Sequence, residues 1–140
     1  MVPLSRRVYL WLVWLFLGAV VIQVFTIGLQ LFAGVSADVH IGFGFVVLLL
    51  SILVAIGAVV AGLPGRSKRW AGALFAITIL QVILAGISHG GATPISAFHP
   101  VNALLLFWIT LRVIRDAQEQ AAMSKPAAPP EGAPAEAPSS

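Results

Sequence analysis

The chain has no cysteine. That excludes a disulfide framework, thiolate metal sites, iron–sulfur ligation, thioether haem attachment and a lipoprotein acyl anchor. It also has little charge: 9% of its residues are Asp, Glu, Lys or Arg, against 59% apolar. With a mean hydropathy of +1.00, this is not the composition of a soluble globular domain. Hydrolytic signatures are missing as well. There is no helical H-E-x-x-H, no G-x-S-x-G and no pair of carboxylates inside an apolar segment. The sequence assigns no catalytic residue and favours a non-enzyme.

What is present is four long apolar segments. The helices are expected at about 8–32, 39–63, 70–88 and 98–123, each long enough for a hydrocarbon core that takes about 20 residues to cross. The predicted fold is all-α: an integral membrane four-helix bundle, up-down-up-down, over 1–124. Residues 125–140 are rich in Pro, Ala, Glu and Ser with no apolar periodicity, and are expected to be a disordered tail. A first segment of about 25 residues is too long for a signal h-region of 7–15. Retention of that helix is therefore expected, although Val35-Ser36-Ala37 would tolerate cleavage.

All eight basic residues fall on one side of these segments. Arg6 and Arg7 precede the first. Arg66, Lys68 and Arg69 lie between the second and third, and Arg112, Arg115 and Lys125 follow the core of the fourth. The other two connections contain neither Lys nor Arg. Cytoplasmic loops retain these residues, so both termini are expected in the cytoplasm of a cell membrane. His40, His89 and His99 then lie toward the outer side. The pI of 10.2 reflects topological anchors among anionic headgroups, not nucleic-acid affinity. The bilayer is the expected partner, with other membrane subunits or a homo-oligomer left open.

The two halves look alike. "IQVFTIGL" and "ADVHIGFGF" in the first match "LQVILAGI" and "SAFHPVNAL" in the second. Gln23 matches Gln81, Gly28 matches Gly86, and His40 matches His99. Both halves run in the same direction, so the axis relating them would lie along the membrane normal. Helical spacing aligns Ala19, Gln23, Thr26 and Gln30 on one face. It aligns His40, Gly44, Ser51, Ala55, Ala58 and Gly62 on a second, and His99, Asn102 or Ala103, Leu106 and Thr110 on a third. Small and polar residues let membrane helices approach and bond to one another.

An ionisable residue at membrane depth is a functional hypothesis by default. His40 and His99 could clamp one b-type haem from opposite faces, since neutral imidazole ligates haem iron. Gly42, Gly44 and Ala103 would leave room for a flat macrocycle. Asp38, Gln30 or Asn102 could orient an imidazole through its second nitrogen. The alternative is that these histidines only cap or pack, with no cofactor, in an accessory subunit of a membrane complex. The depths disagree: His40 lies ~39 Å of helix from Arg66, and His99 only ~20–24 Å from Arg112 or Arg115. His89, beside Gly90-Gly91, reads as a loop residue.

"RRVYLWLVWLFL", "IQVF", "DVHIGFG", "LQVILAG" and "FHPVNALLLF" resemble a family of small, uncharacterised bacterial four-helix membrane proteins. The resemblance runs over about residues 6–115, with "HPVNALL" its most specific piece, and implies no activity. A looser similarity is to haem A synthase half-bundles and other b-type haem membrane proteins, which hold haem between histidines near helix ends. Only His40 and His99 carry over. The Arg and Glu neighbours of the synthase are missing, and with them the expectation of synthase chemistry.

Overall fold

The computed structural model describes residues 4–89 and 93–123, and the 125–140 tail lies outside them. Four helices follow one another: α1 Leu4–Ala33, α2 Ala37–Val60, α3 Gly65–His89 and α4 Phe98–Met123, with a 3-10 turn at Pro94–Ala97 leading into α4. Each is long and apolar enough to cross a membrane. Even the shortest stretch, 23 residues, spans about 34 Å against a hydrocarbon core of about 30 Å. The chain is a multi-pass membrane protein.

Sequential helices pack side by side, and α1 closes the ring against α4. This is the expected up-down-up-down order. Two diagonals result, α1 to α3 and α2 to α4, across which the described backbones make no close approach. The inside is mainly apolar, around Val13, Phe16, Val54 and Leu74, with small hydroxyl side chains set among them. Ser51 and Thr110 are fully buried, and Thr78 nearly so. Each hydroxyl donates to a carbonyl of its own helix: Ser51 to Leu48, Thr78 to Leu74, Thr110 to Leu106. None of these three hydroxyls is left bare in the apolar core. Large apolar side chains such as Phe25, Phe45, Val60 and Leu104 point outward, where the solvent is lipid. Gly57 brings α1 and α2 together: a Cβ there would lie 3.3 Å from Tyr9 Cδ2.

The helix ends differ from the expected ones for physical reasons. α1 begins four residues before position 8, because helix continues past the apolar run through Arg6 and Arg7. α2 stops at Val60, not at 63. Gly62 takes φ +61, and the amides of Gly62 and Leu63 turn back to the carbonyls of Val59 and Ala58 at 3.0 and 3.2 Å. A left-handed glycine closes helices this way. The Pro64 carbonyl then accepts from Lys68 N–H at 3.1 Å, so α3 starts at Gly65, five residues early. The expected depth mismatch disappears with this turn. Arg66 already belongs to the returning helix, and its guanidinium reaches Asp116 and Glu119 of α4 at 2.8 Å. The basic ends of α3 and α4 are therefore level.

Candidate functional site

At the opposite end, the imidazoles of His40 and His99 meet. Their ring centres are 6.3 Å apart, edge to face at 71°. They come from α2 and α4, the diagonal pair, so the two rings bridge the middle of the bundle. His40 is the fourth residue of α2 and His99 the second of α4. Both rings are half-buried.

Each ring is held by the glutamine of the preceding helix, and in the same way. His40 Nδ1 lies 3.2 Å from the Gln23 main-chain oxygen, and Nε2 lies 3.3 Å from Gln23 Nε2. His99 Nδ1 lies 3.2 Å from the Gln81 main-chain oxygen, and Nε2 lies 3.2 Å from Gln81 Nε2. A carbonyl oxygen only accepts, so Nδ1 carries the hydrogen in both rings. Each Nε2 is then a lone pair, capped by an amide N–H. This is the tautomer found in metal-ligating histidines, in which the second nitrogen donates to a carbonyl.

The amide orientations follow from their other contacts. Gln23 Nε2 also donates to the His40 carbonyl at 2.8 Å, which puts the nitrogen on that side. In the second half, Asn102 Nδ2 donates to the Ile77 carbonyl at 3.1 Å and to Gln81 Oε1 at 2.6 Å. That leaves Gln81 Nε2 for His99. Thr26 adds a contact the second half lacks: its hydroxyl donates to the Gln23 carbonyl at 2.8 Å and lies 3.0 Å from His40 Nδ1.

Of the residues expected to orient the imidazoles, Asn102 is in place but acts through Gln81. Asp38 is exposed and accepts from the Ser36 hydroxyl at 2.8 Å, while Ser36 caps α2 through Asp38 N–H. Two residues before His40 on a helix is about 200° around the axis, so Asp38 faces away from the pair. Gln30 is half-buried, one turn beyond Thr26 on the same face of α1, and makes no hydrogen bond to either ring among the described residues. His89 is the last residue of α3, and its side chain lies outside the described ones. The residues that hold the rings are Gln23 and Gln81. The signal for them was the repeat itself, which pairs each glutamine with a histidine 17 or 18 positions later. Gly44 makes room: a Cβ there would come within 3.3 Å of Gln23 Nε2. Among the described residues no cluster of three or more His, Cys, Asp or Glu could hold a metal ion.

A family model matches this part of the chain. It is a family of unknown function, DUF6220, and the match covers residues 23–89, just under half of the chain. That stretch contains Gln23, His40 and Gln81 and ends before His99 and Asn102. No curated protein and no solved structure matches the chain. The similarity to an uncharacterised family thus has support, and the looser one to haem A synthase has none from these comparisons.

Proposed function

We propose that the chain is a b-type haem protein of the cell membrane, whose iron His40 and His99 would hold. The observation that carries the reading is the diagonal imidazole pair. Two imidazoles brought close together could share one metal ion. The rings here are 6.3 Å apart. Haem iron is also the metal centre that asks the protein for only two nitrogens, which is what this site offers. Both rings keep their proton on Nδ1 and present Nε2 as a lone pair. Gly42, two residues after His40, is exposed on another face of α2 and does not flank the pair.

If held in this way, the group would supply one-electron transfer. The residues of the chain do the rest. The carbonyls of Gln23 and Gln81 hold the imidazole protons and so fix ring orientation. Their side-chain amides cap the Nε2 lone pairs at 3.2–3.3 Å, long for hydrogen bonds. The basic end would face the cytoplasm, and the histidine end the outer side.

One observation favours a second reading. Each imidazole is already satisfied by its glutamine, so the pair also works as a cofactor-free latch between the halves of an accessory membrane subunit. An optical spectrum of detergent-purified protein from haem-replete cells separates the two. Haem ligation gives a sharp Soret band and, on reduction, resolved α and β bands, lost in His40→Ala and in His99→Ala. Colourless protein that also fails to take up added haemin sinks the haem reading and leaves the latch.

A further inference from the structure

At the basic end, α3 and α4 enclose a cavity of about 30 Å³ lined by Arg66, Arg112, Arg115, Asp116 and Glu119. That is room for two or three water-sized oxygens. The charges are unequally committed. Arg66 is bound by both acids: its Nε and Nη2 reach Asp116 Oδ1 at 3.0 and 2.8 Å, and Nη2 reaches Glu119 Oε2 at 2.8 Å. Arg112 stacks on Trp70, its guanidinium carbon 5.4 Å from the ring centre, and its N–H donors make no hydrogen bond among the described residues. Arg115 is exposed and makes no hydrogen bond or ion pair among the described residues. Two cations therefore face a small polar cavity whose acids are already paired.

The surface leading away from the cavity is graded. Leu104, Trp108, Arg112 and Arg115 follow one another at four-, four- and three-residue steps along α4, and all are exposed. They form one stripe that is aliphatic, then aromatic, then cationic. Trp108 meets Trp70 edge to face at 6.4 Å, and tryptophan belongs at the headgroup level of a bilayer. From Leu104 to Arg115 the stripe runs about 16 Å, close to half of a hydrocarbon core of about 30 Å. Chain, interface and anion site lie in the order of a phospholipid.

We propose that this cavity seats a phosphate group, that of an anionic phospholipid whose acyl chains lie along Trp108 and Leu104. Arg115 and the edge of Arg112 bind the phosphate oxygens, and the Arg66–Asp116–Glu119 cluster holds α3 against α4 and forms the wall. Basic pockets between membrane helices recognise anionic headgroups by this chemistry. The site is independent of the histidine pair.

The test uses the full chain in detergent, with native mass spectrometry after addition of phosphatidylglycerol or phosphatidylcholine. Phosphatidylglycerol should be retained preferentially. Arg115→Gln should weaken retention about five-fold, and Arg115→Lys should recover most of it. Arg7→Gln, an exposed cation on α1 away from the cavity, should leave it unchanged. Arg115 has no polar partner among the described residues, so its variants should melt like the parent protein. If excess inorganic phosphate displaces the lipid and binds alone with the same dependence on Arg115, the anion site stands with free phosphate as its source. Retention indifferent to Arg115→Gln, or lost equally in Arg7→Gln, overturns the proposal.

Discussion

Phe43 stands three residues after His40 where Asn102 stands three residues after His99, and this exchange breaks the symmetry of the site. Asn102 donates to Gln81 Oε1 at 2.6 Å. With Phe43 in the matching place, Gln23 Oε1 is buried without a partner. An unsatisfied buried acceptor costs about 1–3 kcal/mol. The second glutamine is therefore locked at both ends of its amide, and the first is held only through its nitrogen.

Gln81→Met should accordingly destabilise the bundle more than Gln23→Met. The first strips Asn102 of an acceptor and His99 of its cap. The second removes two bonds to residue 40 but also relieves an orphaned oxygen. Interhelical hydrogen bonds in membranes average about 0.6 kcal/mol and reach about 1.7, so a difference of about 1 kcal/mol is expected. Reversible unfolding in mixed micelles measures it. Equal losses would show that the orphaned oxygen carries no penalty.

How much of this was legible follows from what each signal measures. Apolar length and the placement of Arg and Lys gave four spans in the right order. They could not give helix ends, because helix continues through Arg6 and Arg7 and through Gly65–Arg69 where apolarity has stopped. The repeat pointed to His40 and His99. Asp38 is close to His40 in sequence, but on a helix that nearness puts it on another face. Gln23 and Gln81 reach the rings across a turn, and no spacing rule within one helix reveals that.

Gly57 gives a packing prediction. A Cβ would meet Tyr9 Cδ2 at 3.3 Å and Leu12 Cδ1 at 3.5 Å, and Tyr9 is 2% exposed with nowhere to go. Gly57→Val should force α1 and α2 apart and cost about 1–3 kcal/mol, as overpacking does. Gly72→Val, where a Cβ meets nothing within 4 Å, should cost much less. A comparison of thermal melts in one detergent decides it, and matched melts would mean that Tyr9 moves freely.

The ion cluster gives another. Asp116 is 6% exposed and its carboxylate is matched by Arg66. Removing one member of such a pair leaves the other uncompensated. Arg66→Ala should lower the melting temperature clearly more than Arg7→Ala or Lys68→Ala, and more than Glu119→Gln, whose side chain is 60% exposed. The double variant Arg66→Ala with Asp116→Ala should recover part of the loss. Failure of the second change to rescue the first would show that the pair is not coupled.

The absence of cysteine makes orientation directly measurable, since any introduced thiol is the only one in the chain. Ala33 and Thr93 are exposed at the histidine end, and Lys68 and Gln118 are exposed at the arginine end. Lys and Arg are retained on the cytoplasmic side, and here Arg66, Lys68, Arg69, Arg112 and Arg115 all lie at one end. In intact cells, a membrane-impermeant maleimide should therefore label Ala33→Cys and Thr93→Cys. Lys68→Cys and Gln118→Cys should react only after the membrane is opened. The result also bears on the haem reading, because it fixes the side of the membrane nearest the imidazole pair. Labelling of Lys68→Cys in sealed cells would invert the bundle and put the histidine pair near the cytoplasm.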